Sequence, residues 1–248
     1  MPLPPPFSAT NRPAPGADPD GVLLVDKPAG VTSSDVVVAV RRMFRLKKVG
    51  HGGTLDPQAT GLLVLLVGRG TKLSSAAMSG DKTYEGTLRL GAATNTQDAE
   101  GEIVSRGDPS GVTRERLEAL VASDFSGDIF QVPPMVSAIK VDGVPLYKMA
   151  RKGEEVEREP RLVHVFSLRI DEFGVPDTRF TVRCSKGTYV RTLCHDIGAK
   201  LGCGGHLASL RRIRSGRFDV ADAVPLDALR ALPRAELPSR LLPLSALL

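Results

Sequence analysis

Apolar and polar positions along the chain follow two periods. Gly21-Val22-Leu23-Leu24-Val25 reads as a short strand ended by the turn Asp26-Lys27-Pro28, and the unbroken run Leu62 to Val67 as a buried strand. Lys82 to Leu90 alternates in strand fashion, and Val136 to Tyr147 predicts a hairpin around Asp142-Gly143. Leu162 to Ile170 and Arg179 to Cys184 predict two strands joined by a turn containing Gly and Pro. Helical signals lie between them. Thr32, Ser33 and Ser34 offer N-caps for a helix over Asp35 to Leu46, Thr71 to Ser79 forms a short helix, and Thr113 caps a helix to Ala122. Thr188 to Leu201 predicts a helix ending at Gly202, and a second short helix leads into Leu210-Arg211-Arg212. Strands outnumber helices, and hairpins outnumber strand–helix–strand crossovers. The fold class is therefore α+β, a mixed and mainly antiparallel sheet flanked by helices. Residues 1–20, rich in Pro, predict a disordered arm; 21–225 one catalytic-size domain; and 226–248 a short C-terminal tail.

Composition narrows the class. With 248 residues, 42% hydrophobic and 25% charged, the chain can bury a core without disulfides or metals. Its longest Leu/Val run, Leu62 to Val67, is far too short to span a membrane. Three cysteines and an N-terminus with neither a secretory signal nor an Arg-rich transit pattern predict a reducing, intracellular compartment. The net charge of +5 conceals a segregation. Arg41 to Lys72 holds seven basic residues and one acid, Asp56, while Arg183 to Arg217 holds eight basic residues and one acid, Asp196. Two basic stretches far apart in sequence suit a phosphate backbone. The competing explanation is two solvated helix faces carrying Lys and Arg.

The densest candidate chemistry is the loop from Gly50 to Gly61, with glycines at 50, 52, 53 and 61 around one carboxylate, Asp56. An Asp before Pro often forms a turn; a carboxylate among Lys and Arg is also held ionised and can act as a nucleophile. Both readings stand at this point. His51 is suited to acid, base or base-stacking roles, or to a plain backbone bond. Tyr84 and Tyr189 lie beside basic residues and suit either core packing or stacking on a base. Cys184 to Arg191 reads as a tight strand-to-helix turn in which Lys186 and Arg191 can hold an anion or a carboxylate. Cys194, His195, Cys203 and His206 fall within thirteen residues but match no common zinc spacing.

Taken in order, these pieces resemble one family. Gly21 to Pro28, Val49-Gly-His-Gly-Gly-Thr-Leu-Asp-Pro57, Ala59-Thr-Gly61, Lys82-Thr-Tyr84, Pro134-Met-Val-Ser-Ala138, Cys184-Ser-Lys-Gly-Thr-Tyr-Val-Arg-Thr192 and Leu201 to Arg212 are similar to motifs of the TruB family of tRNA pseudouridine synthases. The similarity covers about 21–225. It implies the pseudouridine synthase fold and isomerisation of the T-arm uridine at tRNA position 55. It further implies Asp56 as nucleophile, with His51 lining the substrate site, Tyr84 stacked on the uracil and Tyr189 a second substrate contact. Arg191 is then the partner of the catalytic carboxylate, Leu210 an apolar contact to the base, and Lys27 a structural or phosphate-facing residue. Neither metal nor cofactor is implied.

Three further expectations follow. Arg41, Arg42, Arg45, Lys47 and Lys48, with Arg211 and Arg212, would grip the RNA backbone. Gly52, where many members carry Thr or Ala, would add flexibility. The chain stops at Leu248, without the length for the PUA module that many members carry, so contacts to distal tRNA would be weaker. The protein is expected to act as a cytoplasmic monomer, an organelle such as a plastid fitting equally. Two alternatives keep the basic stretches: a non-catalytic tRNA-folding factor, and a guide-RNA-dependent synthase acting on ribosomal RNA.

Overall fold

A computed structural model describes residues 18–247 apart from 138, 142 and 151. In chain order the strands are β1 (Gly21–Lys27), β2 (Val49–His51), β3 (Thr60–Val67), β4 (Lys82–Leu90), β5 (Ala92–Thr94), β6 (Ile103–Arg106), β7 (Gly127–Gln131), β8 (Lys140–Val141), β9 (Val144–Pro145), β10 (Arg161–Glu172), β11 (Asp177–Cys184), β12 (Gly205–Ser215), β13 (Phe218–Asp219) and β14 (Val224–Pro225). The α-helices are α1 (Ser33–Met43), α2 (Ser74–Ser79), α3 (Arg114–Asp124), α4 (Leu146–Ala150), α5 (Val190–Leu201), α6 (Leu226–Arg230) and α7 (Leu237–Arg240). These residues form two compact units, one from the chain up to Asp81 together with Arg211 onward, the other from Lys82 to Leu210. The arm expected at 1–20 lies, for 1–17, outside the described residues. Asp20, at its described end, accepts hydrogen bonds from the backbone and guanidinium of Arg69.

The first unit is built on β3. β1 runs antiparallel to it from Gly21↔Val67 to Lys27↔Gly61, and β14 adds in parallel to β1 at Val25↔Val224. On the other side, β2 takes residues 65–67 of β3 and β12 takes residues 60–61. Leu62 to Val67 are fully buried, as expected for an apolar run with no polar alternation. Val22, Leu24, Leu62, Val64 and Leu66 pack with Ala77 of α2 and Phe218. Thr32 caps α1 through a reciprocal box with Asp35, and Arg45, in left-handed backbone (φ 49°), closes the chain beyond the helix. The segment after Pro225 is part of this unit: Leu226, Leu229 and Leu237 are buried, and Leu242 exchanges two backbone hydrogen bonds with Val22.

The second unit is an antiparallel sheet in the order β4–β11–β10–β7. One face carries Leu88, Leu90, Val165, Ile170, Phe180 and Val182, packed against Leu117 and Val121 of α3 and Val190, Leu193, Cys194, Ile197 and Leu201 of α5. Thr113 caps α3, and Gly202 ends α5 at φ +81°, both as the sequence predicts. The expected second short helix after Gly202 is instead β12. Gly204 has φ +74°, and Gly205 lies so close to α5 that a Cβ there would sit 2.9 Å from the Cys194 carbonyl. Leu207 then exchanges backbone hydrogen bonds across to Gln97 and Ala99, which fixes extended backbone where local pattern suggested a helix. The hairpin near Gly143 forms, with two residues in each strand, and its far side turns directly into α4. Asp142 lies outside the described residues.

Candidate functional site

In the first unit, the loop bearing Asp56 is held from below by three side chains. Lys27, fully buried, donates its Nζ protons to the carbonyls of Pro28 (2.9 Å), Val31 (2.7 Å) and Pro57 (3.0 Å). Ser33 accepts from the Leu55 N–H (2.8 Å) and donates to the Leu55 carbonyl (3.0 Å). Arg212 donates to the carbonyls of Leu62, Thr54 and Gly53 at 2.8, 3.2 and 3.2 Å. The Asp56 carbonyl accepts from Ala59 N–H at 3.1 Å. Every carbonyl from Gly53 to Pro57 therefore accepts a hydrogen bond, and the half-buried Asp56 side chain rides on a fixed backbone. Burial pushes the Lys27 pKa down to about 8, the Asp56 carboxylate pulling upward and the Arg212 charge pressing downward. Lys27 is thus a buried support of the loop.

His51, at the end of β2, is half-buried, with its Nδ1 buried. Burial, reinforced by the Arg212 charge and opposed by a backbone hydrogen bond at Gly53, lowers its pKa. A neutral imidazole at neutral pH suits lining or stacking better than holding an anion.

Gly52 corrects the expectation of added flexibility. A Cβ there would come within 2.6 Å of the Ala77 Cβ, so the glycine makes room for α2. Gly52→Ala is expected to cost about 1–3 kcal/mol of stability through overpacking. Adding Ala77→Gly should restore stability to within about 1 kcal/mol, the residual cost of a helical glycine. Urea unfolding midpoints of the single and double variants measure both effects; equal midpoints for the two would refute the packing account.

The basic residues divide. Arg41, Arg42, Arg45, Lys47 and Lys48 are all exposed, and none forms an ion pair with a described residue. Arg211 is half-buried and holds Asp26 in a two-pronged pair at 3.0 and 2.7 Å. Arg212 is 1% exposed with its guanidinium turned into the loop, so the expected phosphate contact does not fit it.

In the second unit, Tyr84 on β4 and Leu210 on β12 are partly buried against the same apolar cluster. Tyr189 is the N-cap residue of α5. Its N–H donates to the Gln131 side-chain oxygen (3.0 Å) and its carbonyl accepts from the Gln131 amide nitrogen (3.3 Å), which fixes the turn before α5. Arg191, in the first turn of α5, is buried. It donates to the carbonyls of Thr96 (3.0 Å) and Val136 (2.8 Å) and lies 3.5 Å from an Asp98 carboxylate oxygen. Thr192 donates to Gln97, a residue in left-handed backbone (φ 64°). Gln131, Gln97 and Asp98 escaped the sequence reading. The run Asn95-Thr96-Gln97-Asp98 after an apolar strand was a turn signal, but nothing local tied it to Arg191. Among the described residues no group of three or more His, Cys, Asp and Glu side chains converges as metal ligands, and His206 is buried with Nδ1 bonded to the Ala92 carbonyl.

Comparison with known proteins shows the family. Residues 41–190 match the model of the TruB family pseudouridylate synthase N-terminal domain, and residues 191–248 that of the tRNA pseudouridylate synthase B C-terminal domain. The chain is 55% identical over 224 residues to tRNA pseudouridine synthase B of Opitutus terrae, spanning 90% of this chain and 92% of that one. It is 52% identical over 216 residues to the same enzyme of Geobacter sulfurreducens, covering 87% of this chain and 71% of the other. Among solved structures, a chain of a Cbf5–Nop10–Gar1 complex superposes with TM-score 0.72 at 29% identity, over 92% of this chain and 61% of that chain. The two family models together cover residues 41–248, including the loop of Asp56 and the helix of Arg191, and the chain belongs to the TruB family of pseudouridylate synthases.

Proposed function

We propose that the protein is a tRNA pseudouridine synthase that isomerises the T-arm uridine at position 55. The observation that carries this reading is the loop of Asp56, whose backbone is bonded at every carbonyl from Gly53 to Pro57. Such a loop presents one carboxylate in a fixed direction, as a nucleophile requires. The target uridine must leave its stack before its glycosidic bond can be reached. His51 and Tyr84 receive the flipped base, with Tyr189 and Leu210 as further contacts. Asp56 attacks the base or the ribose C1′, the N1–C1′ bond breaks, the uracil turns, C5 bonds to C1′ and the bond to Asp56 breaks, which frees the carboxylate. N1 takes up a proton and C5 loses one, taken by Tyr84 or a water, so the isomerisation has no net gain or loss of atoms. Arg191 favours the ionised state of Asp56 in this scheme.

Arg41, Arg42, Arg45, Lys47 and Lys48 supply the phosphate grip. Neutralising Arg41, Arg42 and Arg45 together is expected to make the dependence of log affinity on log salt shallower by about 2–3. An unchanged slope in filter-binding titrations would refute the grip. One chain supplies every residue named, so a monomer suffices, and the tRNA substrate together with three buried free thiols fits a reducing cytoplasm. Among the described residues no helix is long and apolar enough to cross a membrane. The deciding experiment is incubation with an unmodified tRNA transcript followed by mapping of pseudouridine. Modification at position 55 supports the reading; binding without modification favours a tRNA-folding factor, and dependence on an added guide RNA favours the ribosomal-RNA alternative.

A further inference from the structure

Arg212 ranks first by volume among the fully buried side chains described, and it carries a charge. Burying a guanidinium is costly unless its donors are satisfied. Here Nε bonds the Leu62 carbonyl at the start of β3, while Nη1 and Nη2 bond the Thr54 and Gly53 carbonyls just before Asp56. A planar fork of donors can hold both limbs of a loop at once, which a single ammonium cannot. The backbone is shaped to admit it. Gly61 has φ +96°, and a Cβ there would lie 2.3 Å from the Arg212 carbonyl, so β3 and β12 meet flush beneath the loop. Gly53, at φ +130°, turns its carbonyl toward the guanidinium.

We propose that Arg212 is a positioning residue, which ties Gly53 and Thr54 to the start of β3 and so sets the direction of the Asp56 carboxylate, and that it does not grip RNA. This deepens the pseudouridine synthase reading and rests on it. Ser33 and Lys27 complete the same support at Leu55 and Pro57. The Arg212 charge also acts on His51, whose imidazole it helps to keep neutral.

The test uses the full chain carrying Arg212→Lys, which keeps the charge but loses the fork. Turnover, KM, tRNA affinity with its salt slope, thermal unfolding and amide hydrogen exchange are compared with the wild type. The expected result is kcat lower by about 100-fold, the cost of misplacing a reacting group by about 1 Å. KM should stay within about 3-fold and the salt slope should not change. Exchange should quicken at Leu55 and Gly52, whose N–H groups are bonded to Ser33 and the Val64 carbonyl, and not inside β1. A kcat within about 3-fold of wild type overturns the proposal, as does, in Arg212→Gln, which removes the charge, a raised KM with a salt slope shallower by about 1, the mark of a lost phosphate contact. An inactive wild type counts against the tRNA reading itself, and the exchange pattern then still decides whether Arg212 holds the loop. If Arg212→Lys does not fold, Arg212→Gln is read in the same way. Failure of both to fold assigns the arginine to stability alone and overturns the proposal.

Discussion

Asp56→Asn is expected to lower pseudouridine formation by at least about 10⁴-fold while changing tRNA affinity by less than about 3-fold. Asparagine keeps the shape and removes the proposed nucleophile. The loop should survive the change, because its form rests on Lys27, Ser33 and Arg212 bonded to backbone carbonyls. Affinity should survive because the exposed cations of 41–48 lie outside the loop. Tritium release from C5-labelled uridine in tRNA, beside filter binding, measures both, and substantial release by the variant would sink the nucleophile assignment. A pH signature accompanies it. The Asp56 charge raises the pKa of Lys27 against burial, so the two charges attract in the folded protein. That attraction is present while Lys27 is protonated and fades as pH rises through about 8. The stability lost in Asp56→Asn should therefore be larger at pH 7 than at pH 9.

What the sequence made legible was chemistry local enough to stand on its own. The apolar run of β3, the Thr32 and Thr113 caps and the Gly202 stop each depend on a few neighbouring residues, and each appears where expected. The glycine-rich loop drew attention to Asp56 for the same reason: the conformational freedom and the lone acid are adjacent in the chain. β12 was misread because its extended form comes from tertiary partners, the Gly198–Gly205 approach and the bonds of Leu207 across to Gln97 and Ala99. Arg212 was misread for a related reason. Its donors bond to carbonyls 150 or more positions away in sequence, and an Arg next to another Arg gives no local sign that one is buried and the other paired with Asp26. Asp98 and Gln131 belong to the same class of residue, defined by partners 93 and 58 positions distant.

Arg191→Lys is expected to lower kcat by about 100-fold and to leave tRNA affinity within about 3-fold, because the guanidinium serves several groups that one ammonium cannot serve together. Its Nη atoms donate to the carbonyls of Thr96 and Val136, and Nη1 lies 3.5 Å from Asp98. Lysine can satisfy one of these at a time and leaves buried acceptors unpaired. Arg191→Met removes the charge as well and should cost about 3–5 kcal/mol in unfolding free energy, since the Asp98 carboxylate loses its counter-charge in a largely buried setting. Asp98→Asn divides the two roles. It keeps the carbonyl anchors and takes away the carboxylate, so it should lower kcat by about 10-fold with little change in KM. Equal losses in Arg191→Lys and Asp98→Asn would mean that the ion pair, rather than the anchored fork, orients the arginine. A loss confined to KM in either variant would count against the proposed catalytic role of Arg191 and favour a contact with the RNA.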